Sequence, residues 1–369
     1  MLSNNYVLIL LWTGVLAVLY FVMPGVRRVE LVNGRQAERV APWFAVMAVL
    51  PLVYFASVRG AEAGDTVMYI EAYAEMPSRL SGLSEYISTV QKDQGFYYVS
   101  ALIKCLIGDR VAVYFFIVAA IQCFLIFRVF RKYAPAFVTV FFLFIASSDF
   151  FSWIFNGMRQ FTAVAITVAC FPFILKKKYV PAIIGILIAS LFHQSALLVI
   201  PFIFIVQGKA WNKKTIFFIA ASIIAVLFID RFTGVLDAML AETQYKNVVS
   251  DWQEWNDDGT NFLRVLVYSM PALLSLVGIR YVRYKNDPVI NICVNMSIVS
   301  MGLYIVSMFT SGIFIGRLPI YFSLYGYISL PWLIKHMFTD KSAKIVQLCM
   351  MGGYLVFYYY QMHLTWGLF

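Results

Sequence analysis

Charged residues are scarce in this 369-residue chain, at 13% of the sequence, whereas hydrophobic residues make up 62%. In a soluble protein about a quarter of the residues are charged. Apolar runs near the ~20 residues that cross a bilayer recur from one end of the sequence to the other. The composition therefore excludes a soluble globular enzyme and predicts an all-α polytopic integral membrane protein.

Patterns for metal ions, disulfides and nucleotides are also missing. The five cysteines are scattered and odd in number, so they predict neither a disulfide framework nor a zinc site. The three histidines do not combine with Asp or Cys at ligand spacing, and no glycine-rich phosphate loop occurs. We therefore expect no metal and no other cofactor. The net charge of +10 predicts basic cytoplasmic loops rather than a nucleic-acid partner.

The apolar runs predict about 12 transmembrane helices in a single integral membrane domain, residues 1–369. Two longer segments, 59–110 and 230–261, are expected at the outer side. The runs are 5–24, 42–58, 111–127, 134–152, 160–175, 215–229, 262–282, 288–310, 318–334 and 345–363, together with a pair of short helices within 179–206.

Most lysines and arginines lie in six clusters between these runs, and few acidic residues accompany them. An excess of Lys and Arg marks cytoplasmic loops. The pattern therefore predicts that both chain termini are outside. The clusters are Arg27/Arg28/Arg35/Arg39, Arg128/Arg131/Lys132, Lys176–Lys178, Lys209/Lys213/Lys214, Arg280/Arg283/Lys285 and Lys335/Lys341/Lys344.

The stretch LIASLFHQSALLVIPF, residues 187–202, contains three polar residues at its centre. Both flanking basic clusters are expected in the cytoplasm, so the chain between them crosses the membrane an even number of times. As one helix, 179–206 would extend roughly 42 Å at about 1.5 Å per residue, too long for one span and too short for two. We therefore predict two shortened helices with a bend at 192–195. Irregular backbone at membrane depth is tolerated where it lines a cavity or is buried in protein.

Ionisable residues at the predicted outer ends of the helices form the most informative set. A charge in this setting is costly unless it is paired or hydrated, so it indicates a functional site. We expect the arginines of this set to have no matching buried carboxylates. Its members are Arg59, Asp65, Arg159, His193, Arg264 and Arg317.

Structural roles remain open for each of these residues. Arg59 could extend to the membrane interface, and Arg159 could pair with Asp149. Arg264 and Arg317 could pair with the acidic outer loop or with lipid phosphates. His193 could be a hydrogen-bonded core residue. Asp65 could cap a helix, or it could share a helix face with Tyr69, four residues on.

The set as a whole favours binding of a polyanion. Guanidinium groups pair bidentately with phosphate, and an imidazole can take a proton from a hydroxyl near neutral pH. Arginines and one base at the outer membrane face therefore predict a site where an alcohol attacks a lipid-linked diphosphate.

Four sequence blocks resemble the EpsG family of Wzy-type polysaccharide polymerases. They occur in the family's order, on the predicted outer side, and the similarity extends over most of the chain. The blocks are RGAEAGDTVMY (59–69), NGMRQFTAVAI (156–166), FHQSALL (192–198) and GRLPIYF (316–322).

The resemblance implies a metal-independent inverting glycosyltransferase with a GT-C-like helical architecture in the bacterial inner membrane. Its substrate would be an undecaprenyl-diphosphate-linked oligosaccharide at the outer face, and a chain-length regulator is a possible partner. Carried onto this chain, Arg159 and Arg317 would hold the diphosphate, and His193 would activate the acceptor hydroxyl or stabilise the leaving group. Further substrate-binding candidates are Arg59, Asp65, Tyr69, Asn156, Gln160 and Arg264.

Two other functions satisfy similar requirements. One is an O-antigen ligase-like or other lipid-linked glycosyltransferase, which needs nearly the same site. The other is a flippase or transporter of lipid-linked sugars, which would not be an enzyme. Transporters often show internal repeats and polar groups at mid-membrane. In this sequence no repeat is evident and the charges concentrate on one predicted face, which favours the enzyme.

Overall fold

We describe the fold from a computed structural model, which covers residues 2–367 except 33, 62 and 241–258. Most of the predicted outer segment 230–261 lies outside the described residues. The helices are α1 Leu2–Val22, α2 Pro42–Ser57, α3 Thr66–Glu75, α4 Leu83–Thr89, α5 Gln94–Ile107, α6 Val111–Tyr133, α7 Phe137–Ala146, α8 Asp149–Phe151, α9 Met158–Ala169, α10 Phe171–Leu175, α11 Tyr179–Phe192, α12 Val199–Ile205, α13 Lys213–Leu227, α14 Ile229–Leu240, α15 Phe262–Val277, α16 Ile279–Lys285, α17 Pro288–Met308, α18 Ile320–Met337 and α19 Asp340–Tyr359.

Short helical turns of other types connect several of these helices, and one hairpin accompanies them. The hairpin pairs β1, Arg27–Val32, with β2, Arg35–Val40, in antiparallel register. The π-helical turns are Ser152–Asn156 and Tyr360–Thr365, and the 3₁₀ turns are Leu80–Gly82, Gln194–Leu198 and Ile315–Arg317.

The apolar helices make this a helical membrane protein. Three segments are each long and apolar enough to cross a bilayer, namely α6, Met158–Leu175 and α17. The number rises to six if each bent pair of helices counts as one span, as with Phe137–Ala146 and Asp149–Asn156, which meet at 65°. The expected 12 crossings and the GT-C-like architecture stay predictions, because length and composition support only this smaller number within the described part of the chain.

The chain packs as two compact units. The first unit comprises Met1–Ile200 and Met351–Phe369, and the second comprises Pro201–Met350. The single domain expected over 1–369 stays a prediction beside this division.

Aromatic side chains fill the interior of the first unit around α6, α7 and α9. Phe141, Phe144 and Phe161 are fully buried, and the ring of Phe127 meets that of Phe144 edge to face at 5.4 Å. Such ring pairs stabilise a core beyond the area that they bury. This core fixes how α9 lies beside α6, and α9 carries the Asn-x-x-Arg-Gln block at its beginning.

In the second unit α17 is the central helix. Almost all of its residues are buried, because it packs against α13, α15 and α18. Close approach is possible where a side chain is absent: a Cβ atom at Gly302 would lie 2.6 Å from the Phe218 ring. This packing fixes the positions of the chain segments that precede and follow α17.

One end of the first unit is basic. Arg131, near the end of α6, forms a salt bridge with Glu30 of the hairpin and donates from Nε to the Val40 carbonyl at 2.9 Å. Arg39 donates to the Lys132 carbonyl at 2.7 Å. We call this the basic end.

The opposite end of the first unit contains the first two sequence blocks and the turn of the third. The guanidinium carbon of Arg59, just beyond α2, lies 3.7 Å from the centre of the Phe115 ring, at the beginning of α6. Since α2 begins beside the hairpin and α6 ends there, Arg59 and Phe115 mark the other end of both helices. We call this the motif end.

Candidate active site

The first two sequence blocks meet at Asn156. Its side-chain oxygen accepts a hydrogen bond from the Asp65 backbone N–H at 3.1 Å, and its carbonyl accepts one from the Tyr69 hydroxyl at 3.2 Å. Gly64 has a φ of +56°, and a Cβ atom there would lie 1.6 Å from the Asn156 side-chain oxygen. Only glycine suits both this backbone conformation and this approach. The contact places Asp65 and Tyr69 beside the beginning of α9.

Arg59 is enclosed at the same end. Its side chain is buried, and Nη1 donates to the Ile154 carbonyl at 2.6 Å. Its guanidinium lies over the Phe115 ring and beside the Met158 sulfur. Burial lowers the pKa of Arg59 to about 10. Among the described residues no carboxylate pairs with it, so its positive charge is held by aromatic, carbonyl and sulfur contacts.

Arg159 forms a salt bridge with a carboxylate that the sequence analysis did not single out. Its Nη1 donates to Oδ2 of Asp93 at 2.9 Å, and the Asp93 side chain is only 5% exposed, against 28% for Arg159. The Tyr69 hydroxyl is a further hydrogen-bond partner of Arg159. Burial raises the pKa of Asp93, and the nearby guanidinium of Arg159 opposes that rise.

This salt bridge corrects two expectations. The arginines were taken to lack a matching buried carboxylate, and Asp93 is one. Asp149 was the alternative partner of Arg159, but the salt bridge is made with Asp93. Asp149 is fully buried after α7, where its backbone N–H faces the Ser147 hydroxyl at 3.5 Å.

His193 lies at the predicted break. Helix α11 ends at Phe192, and a 3₁₀ turn begins at Gln194. His193 between them is extended and half-buried, and its Nδ1 is 2.6 Å from the Ser195 hydroxyl. The backbone N–H of Gln194 donates to the Asp93 carboxylate. Asp93 thus contacts both Arg159 and the turn that carries His193.

Gln160 follows Arg159 but is turned into the unit, since only 4% of it is exposed. Beside it, the Gln122 side chain of α6 donates to the Met158 carbonyl at 3.0 Å and to the Thr162 hydroxyl at 2.9 Å. These bonds fix the beginning of α9 against α6. A polar residue inside α6 therefore helps to position Arg159.

Arg264 and Arg317 belong to the second unit. Arg264 lies in the first turn of α15, with its guanidinium carbon 5.8 Å from the centre of the Tyr268 ring. Arg317 ends a 3₁₀ turn and is exposed. Each unit therefore contributes part of the predicted set.

The chain segments carrying these two arginines are joined near the end of α17. Ser307 donates to the Thr260 hydroxyl at 2.8 Å, and its carbonyl accepts from the Thr260 backbone N–H at 2.9 Å. Gly316 approaches the same place, since a Cβ atom there would lie 2.5 Å from the Thr260 hydroxyl. The Gly-Arg of the fourth block is therefore held beside the segment that leads into α15.

Asp93 is the main residue that sequence reasoning missed. The available signal was the Asp-Gln-Gly that precedes the apolar stretch of α5. Asp93 adopts a left-handed conformation at φ 54°, and a Cβ atom at Gly95 would lie 2.8 Å from Leu191 Cβ. A turn of this kind that packs closely on another helix indicates a positional role, but its partner is visible only in the fold.

No group of three or more His, Cys, Asp or Glu side chains among the described residues is arranged to hold a metal ion. Two arginines, Arg59 and Arg159, lie at the motif end. Arg159 pairs with the carboxylate of Asp93, whereas Arg59 contacts the Phe115 ring and the Ile154 carbonyl. Arginine side chains can stabilise an anionic group in the way that a metal ion does elsewhere.

Comparison with known proteins places the chain in a family. No curated protein and no solved structure matches it. The model of the EpsG family, whose members are Wzy-type or exopolysaccharide polymerase-like proteins, matches residues 42–366. The match includes all four sequence blocks and every residue of the motif end described above. Since it covers most of the sequence, this chain belongs to the EpsG family.

Proposed function

We propose that this protein is a polysaccharide polymerase. It joins oligosaccharide repeat units carried on undecaprenyl diphosphate, with the motif end at the outer face of the bacterial inner membrane. The family supports a polymerase-like role in exopolysaccharide synthesis. The single observation that carries the proposal is the Arg159–Asp93 salt bridge beside the His193 turn. It supports the proposal because one carboxylate contacts both the arginine proposed to bind phosphate and the turn of the histidine proposed to accept a proton.

In this proposal Arg159 and Arg317 bind the diphosphate of the donor. Arg159 uses one Nη1 hydrogen for Asp93 and has further N–H donors for phosphate oxygens. Arg264 is a further candidate for binding the substrate. Arg59, which is buried against Phe115, contributes positive potential and supports the beginning of α9 rather than reaching the lipid head group.

The hydroxyl of the acceptor sugar attacks the anomeric carbon of the donor from the face opposite the diphosphate, which inverts that carbon. The new C–O bond forms as the bond to the diphosphate oxygen breaks. The proton of the hydroxyl goes to Nε2 of His193, and undecaprenyl diphosphate leaves with the electron pair. Arginine neutralises the charge that develops on this leaving group.

Ser195 sets which nitrogen of His193 accepts the proton. If Nδ1–H donates to the Ser195 hydroxyl, Nε2 has the lone pair and can act as a base. Their separation of 2.6 Å fits this arrangement. Asp65, Tyr69 and Asn156 hold the loop before α3 beside the site, where the donor sugar or the lipid head group would lie.

The test is reconstitution of purified protein in proteoliposomes with lipid-linked repeat units, followed by electrophoresis of the glycan. The wild type should give a ladder of polymers. Arg159→Ala and Arg317→Ala should each abolish the ladder, because loss of such a transition-state contact lowers the transfer rate on the order of 10²-fold or more. Arg110→Ala is the matched control, because Arg110 is an exposed arginine just before α6 at the same end.

Other outcomes would separate the alternatives. A single transfer of finished glycan to another lipid would indicate a ligase. Movement of intact lipid-linked units across the bilayer, without any new glycosidic bond, would indicate a flippase and contradict the proposal. Equal losses of activity in all three arginine variants would show that general surface charge, rather than the two site arginines, is required. A change in the length distribution when a candidate chain-length regulator is added would identify that partner.

A further inference from the structure

Asp93 joins three parts of the first unit. It precedes α5, its carboxylate accepts from Arg159 of α9 at 2.9 Å, and the same carboxylate accepts from the backbone N–H of Gln194 after α11. Its side chain is almost fully buried, at 5% exposure. A buried carboxylate with two hydrogen-bond donors is strongly oriented by them and orients them in turn.

The backbone around Asp93 is equally constrained. Its left-handed φ of 54° is uncommon for a residue other than glycine. Gly95, two residues later, lies so close to Leu191 that a Cβ atom would contact the Leu191 carbonyl at 2.9 Å. Since α5 packs directly on the end of α11, the distance between Asp93 and the His193 turn is set by the backbone and not by a flexible side chain.

We propose that Asp93 is a positioning residue of the transferase site, which holds the guanidinium of Arg159 and the imidazole of His193 in fixed relation to each other. This inference rests on the proposed function. Asp93 does not touch the substrate. Its carboxylate fixes one edge of the Arg159 guanidinium, so that the remaining N–H groups point to the diphosphate, and it fixes the turn from which His193 reaches the acceptor hydroxyl.

This role has a kinetic consequence that a general structural role lacks. A carboxylate beside Arg159 reduces the positive potential that attracts the diphosphate, so its removal does not weaken donor binding. The same removal frees Arg159 and the His193 turn to move independently. Small displacements of reacting groups can cost on the order of 10²-fold in rate. Asp93 therefore affects turnover and not donor affinity.

The experiment uses the full-length protein in proteoliposomes and the variant Asp93→Asn. We expect kcat to fall on the order of 10- to 100-fold, while KM for the lipid-linked donor stays the same or decreases. Titration with undecaprenyl diphosphate should show the same split: Asp93→Asn binds it as tightly as the wild type, and Arg159→Ala binds it more weakly.

Asp109→Asn is the matched control. Asp109 lies in the same segment and also forms a salt bridge, with Lys104 at 3.1 Å, but its side chain is 82% exposed and is not paired with Arg159. It should keep the kcat of the wild type. If Asp93→Asn also kept that kcat, or if it weakened binding of undecaprenyl diphosphate as strongly as it slowed turnover, the positioning role would be wrong.

A second variant covers the case in which Asp93→Asn does not fold. Asp93→Glu keeps the charge but displaces the carboxylate by one methylene, so it should fold, retain donor KM and lose part of kcat. A normal kcat in Asp93→Glu would contradict the need for fixed geometry. Failure of the proposed function can be distinguished from failure of this inference, because in that case the wild-type protein itself would show no polymerase activity.

Discussion

The two ends of the first unit both contain arginines, but these arginines are used differently. At the basic end, Arg131 and Arg39 are bonded to the hairpin carboxylate Glu30 and to backbone carbonyls. At the motif end, Arg159 pairs with a buried carboxylate, which also holds the loop of a histidine. The first arrangement fastens a hairpin to a helix, whereas the second joins a cation, a buried carboxylate and the turn that carries His193.

The comparison shows that the number of arginines does not identify the site. What distinguishes the motif end is that Arg159 and the turn carrying His193, which come from separate parts of the chain, share one partner, Asp93. Partly exposed ion pairs such as that of Arg131 contribute little more than about 1 kcal/mol. We therefore expect changes at the basic end to alter stability slightly and changes at the motif end to alter catalysis.

The largest loss of turnover should come from replacing His193. His193→Gln removes the proposed proton acceptor, so kcat should fall on the order of 10²-fold or more with donor KM retained. His336→Gln is the control, because His336 in α18 already bonds the Trp332 carbonyl through Nδ1 at 2.9 Å. Measured rates of polymer formation in proteoliposomes for the two variants would check this prediction. A normal rate in His193→Gln would remove the residue from the mechanism.

A smaller difference should follow when arginine is replaced by lysine at each end. Arg159→Lys keeps the charge but loses the planar set of donors that serves Asp93 and Tyr69 and that we propose also binds the diphosphate. Its kcat/KM should fall on the order of 10-fold, about 1.4 kcal/mol. Arg131→Lys at the basic end should leave kcat/KM unchanged. Equal losses in the two variants would mean that the ends do not differ in function.

The smallest difference in turnover between the two ends should come from replacing two glycines that have positive φ. Gly64 at the motif end lies against the Asn156 side chain, whereas a Cβ atom added at Gly25, near the hairpin, would have no neighbour within 4 Å. Both alanine variants carry the backbone cost of roughly 1–3 kcal/mol. Gly64→Ala alone should also displace Asn156 and slow turnover a few-fold. Thermal unfolding and rate measurements on the same samples would show whether the two variants differ.

Hydropathy and charge predicted much of the helical framework. Each apolar run contains helix, although α3, α4 and α5 lie in a segment predicted outside the spans. The break between α11 and the following 3₁₀ turn lies at His193, as the length of 179–206 indicated. These features depend on local composition and on the thickness of a bilayer. The hairpin of residues 27–40 was not predicted, because its charged strands were interpreted only as a basic loop.

Side-chain partners were harder to predict. The sequence brought Arg159 and His193 into one set, but the pairing with Asp93 depends on how α5 packs against α11, a contact between residues distant in sequence. Arg59 was a further substrate-binding candidate, and only the fold shows that Phe115 and a carbonyl enclose it. Whether a particular charged side chain is buried depends on tertiary packing, which the spacing of residues in the sequence does not reveal.

The most direct test of the central claim is a cryo-electron microscopy structure of the protein with undecaprenyl diphosphate bound. The account predicts the diphosphate at the motif end, within hydrogen-bond distance of the Arg159 guanidinium, while Asp93 keeps its bond to the Gln194 backbone. A diphosphate bound instead at the basic end, beside Arg128 and Arg131, would contradict it.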